Sequence, residues 1–236
     1  ALALKVEDQM LTLETTLDSK RTGKSELAAF ARSEKAGEGA LPNLAVPRRI
    51  AGLSFYRDLH GFYAAKDKLF PERTSGLIFF ENMMGIFFTG RDLTTEVLAQ
   101  TEPQIRIVVA QQQYDPALGT PQVQIPALAA VLRLRHPEQF GKVVEEAWQK
   151  AVGLINFTRG QKAQPGLIID RPVHKDIKYT VAAFPTADAN DKTSPDIRFN
   201  VRPALAMPGE YLILSSTDGL ARDLIDALSR ELIGTL

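Results

Sequence analysis

Three stretches decide the fold: "IRIVVA" at Ile105–Ala110, "PALAAVLRLRHPEQF" at Pro126–Phe140 and "YLILSSTDGLARDLIDAL" at Tyr211–Leu228. In the first, Ile105, Ile107 and Val109 alternate with Arg106, Val108 and Ala110, the period of two that a pleated strand imposes. In the second, Leu128, Ala130, Leu132 and Leu134 share one face and Arg133 and Arg135 the other. Pro137 then occupies a favoured first helical position, opening a helix lined by Phe140, Val144, Ala147, Ala151 and Leu154. The third passes from a strand into a helix that Ser216 or Thr217 caps, with Leu220, Leu224, Leu228 and Leu232 in one stripe. Its Asp218 and Arg230 stand at the ends that the helix dipole favours.

Working outward, Ile177, Tyr179, Val181 and Ala183 read as a further strand, and Leu167–Asp170 as a weaker one. Ile197, Phe199 and Val201 against Arg198, Asn200 and Arg202 give the cleanest alternation in the chain. "MPGE" at Met207–Glu210 is a turn, and strands at 197–206 and 211–215 are joined too tightly for a parallel crossover. The pattern therefore predicts an α+β domain over residues 46–236: an antiparallel sheet with helices packed on one face. Upstream, Ser54–Phe70 reads as a helix with Phe55, Leu59, Phe62 and Tyr63 on its apolar side, stopped by Pro71. "LIFFENMMGIFF" at Leu77–Phe88 would be a helix apolar nearly all round, which implies burial on every side or against another chain. Asp92 or Thr94 caps a short helix after it. Residues 1–45 are predicted to be a helical extension and linker. Val6, Met10, Leu13 and Leu17 fit one helical stripe, Ser25 caps "ELAAFAR", and "KAGEGALPNLAVP" connects to the domain.

Composition narrows the function classes. Hydrophobic residues make up 44% of the 236, ample for a core, and 28 basic residues balance 28 acidic ones. A zero net charge argues against a general nucleic-acid binder and leaves self-association unopposed by charge. The chain has no cysteine, which removes disulfides, thiolate metal sites and cysteine nucleophiles. It begins Ala-Leu-Ala-Leu, as a processed or partial product would, and no signal peptide is visible. No apolar run reaches the ~20 residues that cross a bilayer.

Catalytic motifs are not found. Neither glycine-rich nucleotide loop occurs, and "GLSFY" at Gly52–Tyr56 lacks the second glycine of a nucleophile elbow. His60, His136 and His174 lie far apart in sequence, so each reads as an ordinary surface, cap or loop residue. Asp188, Asp191 and Asp196 lie in "DANDKTSPD", which lacks the glycine and terminal Glu of a calcium loop. Asn156-Phe157-Thr158 matches a glycosylation sequon at a predicted helix end. Arg106, Arg133, Arg135, Arg198 and Arg202 could share a sheet face and receive an anionic partner, with a simple solvated face as the alternative. Phe79, Phe80, Met83, Met84, Phe87 and Phe88 form either a partner or lipid surface, since Met and Phe adapt to irregular apolar partners, or plain core.

"FPERTSGLIFFENMMGIFFTGRDLTTEVL", "IRIVVAQQQYDP", "PALAAVLRLRHPEQF" and "YLILSSTDGLARDLIDAL" resemble an uncharacterised bacterial domain-of-unknown-function family. The likeness runs from Leu53 to Leu232 and consists of structural joints. It implies an exported protein of the periplasm or cell surface, a piece of something longer, and it carries over no site residues.

The leading expectation is thus a non-enzymatic exported binding or assembly module, engaging a protein partner or itself. No catalytic, cofactor or metal residue is assigned. One alternative is a carrier of an apolar ligand such as lipid, which needs a cavity between sheet and helices lined by Phe and Met. Another is a hydrolase in which one histidine meets a carboxylate or a second histidine in a cleft.

Overall fold

A computed structural model describes residues 2–7, 10–15, 30–31, 33, 35, 38–70, 75–114, 120–185 and 197–234. The alternating segments form one antiparallel sheet of seven strands. These are β3 (Arg49–Tyr56), β4 (Thr101–Ala110), β5 (Ala127–Leu134), β6 (Ile168–Asp170), β9 (Thr180–Ala183), β10 (Ala204–Ala206) and β11 (Tyr211–Ser215). Across the sheet they run β3-β4-β5-β11-β10-β9-β6. Two hairpins stand apart from it: β1 (Leu2–Glu7) with β2 (Met10–Thr15), and β7 (Val173–His174) with β8 (Ile177–Lys178). The helices are α1 (Leu59–Ala64), α2 (Lys66–Leu69), α3 (Ser75–Phe87), α4 (Pro137–Gly160) and α5 (Asp218–Gly234). The α+β antiparallel class is as the pattern predicts.

Each sheet face has its own helix, so the arrangement with helices on one face alone is corrected. Val108, Ala129, Val131, Ile213 and Ala206 pack on Leu220, Leu224, Ile225 and Leu228 of α5. The alanines at 110, 127, 129, 204 and 206 on this side leave room for a helix to approach the sheet closely. Residues of the opposite parity, Leu134, Leu205 and Leu212, pack on Phe140 and Val144 of α4. The central strands are apolar on both sides, which is the mark of a sheet covered twice. Leu44 and Val46, both within the stretch that reads as a linker, are buried in the α5 layer.

Two further expectations are corrected. Leu2–Glu7 and Met10–Thr15 are strands, paired Leu4↔Leu13 and Val6↔Leu11, where the apolar spacing predicts a helical extension over residues 1–45; the helix expected after Ser25 lies largely outside the described residues. Apolar residues at 2, 4, 6 and at 11, 13 satisfy a period of two as well as the sparser helical stripe, and only two residues separate the runs. Ile197–Asn200 is a 3-10 turn, and only Ala204–Ala206 joins the sheet. The cause is Asn200, which is 2% exposed. Its amide donates to Val123 O (2.8 Å) and accepts from Ile125 N (2.9 Å) and Tyr114 OH (2.6 Å). A side chain making those bonds is incompatible with a solvent-facing strand position, and Pro203 supplies no N–H for a ladder.

Several local signals hold. Asp92 caps the turn Leu93–Val97 through Thr95 N (2.7 Å), Pro137 opens α4, and Thr217 Oγ1 accepts from Leu220 N (3.3 Å). Of the segment read as one helix from Ser54, the first residues complete β3, and Asp58 caps α1 by accepting from Gly61 N (3.0 Å).

Candidate interaction surface

Helix α3, with sequence SGLIFFENMMGIF, buries none of its residues. Ile78, Phe79, Phe80 and Ile86 are 46%, 65%, 40% and 68% exposed. Residues 75, 78, 79, 82 and 86 are the exposed ones along one side, a 3.6-residue stripe. The sequence requires burial or a partner for such a helix, and among the described residues the burial is missing.

The helix is nonetheless held in place. Midway, Glu81 Oε1 accepts from Tyr63 OH (2.9 Å) and Lys66 Nζ (2.6 Å). At its end Phe88 packs into the α4 layer beside Leu93 and Val143. Thr89 Oγ1 then donates to Glu146 (2.9 Å) and accepts from Lys150 Nζ (2.7 Å). Thr89 and Gly90 have φ of 57° and 76°, the left-handed conformation that closes helices. Phe88 is thereby drawn inward while the Phe79–Ile86 side stays outward.

The sheet face that α4 covers also has an open stretch. Ile107, Leu128, Ala130, Leu214 and Trp148 wall an apolar groove of about 340 Å³. Leu128 is 51% and Leu214 39% exposed. Neither Phe nor Met lines it, so it is not the cavity expected for a carrier.

A polar cleft of about 370 Å³ lies where β11 passes into α5, between Arg48, Arg202, Arg222, Asp218, Asp223 and Tyr114. Most of its charge is paired: Arg48 with Asp223 (3.0 Å) and Arg222 with Asp218 (3.2 Å). Asp218 also accepts from Tyr179 OH (2.6 Å). Burial, with Asp218 beside it, pushes the Tyr179 phenol well above its ordinary value. Burial likewise raises the Asp223 carboxyl despite Arg48.

The remaining sequence candidates fall as follows. His60 is exposed on α1, and His136 Nδ1 lies 3.0 Å from Gln100 Oε1. His174 Nε2 meets Asp226 Oδ1 at 2.7 Å, and Lys175 reaches the same oxygen at 3.0 Å. Burial opposes ionisation of Asp226, but hydrogen bonds from Lys175 and His174 outweigh it and hold the carboxyl below its usual range. This cluster fastens the β7–β8 hairpin to α5. No histidine among the described residues lines any of the three clefts of this fold given by Arg48–Asp223, Ile107–Ser216 and Glu145–Met207.

The arginines do not form one anion-receiving face. Arg106 is 2% exposed and pairs with Glu231 (2.9 Å), Arg133 pairs with Glu210 (2.7 Å), and Arg135 pairs with Glu102 (3.1 Å). Arg202 stands apart at the polar cleft, and the Arg198 side chain lies outside the described residues. Asn156 of the sequon donates to Leu167 O (2.8 Å) and accepts from Leu167 N (2.6 Å), so its amide is engaged in the fold. Asp188, Asp191 and Asp196 lie outside the described residues. Among the described residues no helix is long and apolar enough to cross a membrane.

The exposure of α3 is the feature that sequence reasoning left open. Periodicity cannot tell a helix buried all round from one offered to a partner. No family model, curated protein or solved structure matches this chain.

Proposed function

We propose that this chain is a non-enzymatic binding or assembly module whose α3 stripe docks on an apolar surface of another protein chain. One observation carries the reading: a 13-residue helix of large apolar side chains is anchored at Glu81 and Phe88 yet buries no residue of its own. Contiguous apolar surface of this kind marks interaction sites. A protein surface is favoured over a lipid one because α3 has no Lys or Arg among its residues, whereas interfacial helices carry them along their polar face. An exported bacterial setting belongs to the same proposal and is supported by the motif likeness alone. Replacing Phe79 or Ile86 with Asp tests it. Each variant should fold as the parent does and lose co-assembly with the bound protein; unchanged assembly would contradict the reading.

The groove beside Trp148 favours a second reading, the capture of a small apolar ligand on a wall of Ile, Leu, Ala and Trp side chains in place of the Phe and Met that the sequence led one to expect. Trp148 is the single tryptophan, so its fluorescence reports on the groove directly. Saturable change on adding palmitate would support this reading, and a flat titration would end it.

A further inference from the structure

The two edges of the seven-stranded sheet are built differently. Strand β6 is three residues long, ends in Asp170 and lies between Pro165 and Pro172, the short, charged, proline-flanked form that protects an edge. Strand β3 is eight residues long, with no charge and no proline from Ile50 to Tyr56. Its Ile50 is 60% and its Leu53 58% exposed. Among the described residues no strand lies beyond β3, and only Phe30 O, which accepts from Asp58 N (2.9 Å), meets this edge just past Tyr56; an edge open over this length is a template for another strand.

The ladder shows which groups are open. Arg57 N donates to Pro103 O at 2.7 Å, continuing the register Tyr56↔Gln104. Because bonded and non-bonded pairs alternate in an antiparallel ladder, Ala51, Leu53 and Phe55 spend their amides on β4. Gly52, Ser54 and Tyr56 therefore direct their N–H and C=O groups outward.

We propose that β3 pairs antiparallel with β3 of a second copy about a two-fold axis at Ser54, joining two sheets into one. That register sets Gly52 opposite Tyr56 and Ser54 opposite Ser54, so the outward amides of these three residues find partners, and the ladder ends before Asp58, whose N–H already donates to Phe30 O (2.9 Å). On the other face Leu53 meets Phe55 of the second copy, extending the apolar row Leu53–Ile107–Ala130–Leu214. The register one step away would oppose Arg49 to Arg57, and centring on Ser54 avoids this. With no net charge on the chain, no long-range repulsion opposes the union. A two-fold, self-complementary patch is the commonest route to a dimer.

The surface is separate from α3, so the two proposals fail independently. Sedimentation of the full chain should give twice the mass of one copy. Leu53→Lys and Ala51→Lys (the latter opposing Arg57 of the second copy) should give single copies with unchanged circular dichroism. The chain has no cysteine of its own. Ser54→Cys should form a covalent dimer on mild oxidation, since paired Cα atoms about 5.5 Å apart suit a disulfide. Ile50→Cys, exposed but away from the axis, should not. A single-copy mass for the parent, a dimer surviving both lysine variants, cross-linking of Ile50→Cys as readily as Ser54→Cys, or dissociation by Ile86→Asp would each overturn the proposal.

Discussion

Tyr179 ties the strand layer to the last helix. Its side chain is 4% exposed and its hydroxyl donates to Asp218 in the first turn of α5. Burial and the neighbouring carboxylate hold the phenol in its neutral form. Its folded pKa thus lies above the unfolded value of about 10. The resulting stability is complete below about pH 10 and shrinks as pH rises further, because only the unfolded chain ionises readily there. Denaturant midpoints of the parent should fall between pH 9 and 11, and those of Tyr179→Phe should fall less steeply. Parallel curves would contradict this assignment. Neither the Tyr179–Asp218 bond nor the Asn200 hub was legible in sequence. Both join residues 39 or more positions apart, and nothing local marks an Asn as buried. Asn200 sat on what looked like the solvent side of a strand, and its hydrogen bonds override that alternation.

At the scale of elements, legibility follows how many local signals agree. Pro137 and Thr217 begin their helices where capping chemistry places them. Leu220, Leu224 and Leu228 of α5 bury as their spacing demands, the last two at 0% exposure, and the Leu232 side chain lies outside the described residues. Residues 2–15 failed because one set of apolar positions fits two periods, and chain pairing rather than pattern decides between them. The second face of the sheet was missed for a related reason. Leu128, Leu132 and Leu134 mark one side in the sequence, though only Leu134 is buried there, while the smaller Ala127, Ala129 and Val131, all buried, mark the other less audibly. The contrast between α3 and α5 is testable by stability. Leu224→Ala should cost about 3 kcal/mol through lost burial and a cavity, whereas Ile86→Asp should change stability by less than about 0.5 kcal/mol. A large loss from Ile86→Asp in chemical denaturation would mean that α3 packs inward after all.

Across the described residues, apolar surface is left open at the α3 stripe, the groove at Trp148 and the β3 edge, besides single side chains such as Phe157 and Val173. Elsewhere the charged residues are largely matched, as Arg48–Asp223, Arg106–Glu231 and Arg133–Glu210 illustrate. Matched charge with open apolar surface is what the proposed docking role requires. The most direct test installs a photo-reactive benzoylphenylalanine in place of Phe79 and irradiates the protein in its native setting. Cross-linked adducts of a discrete protein chain are expected, and they should vanish when Ile86→Asp is added. Adducts of lipid only, or none at all, would contradict a docking role for α3.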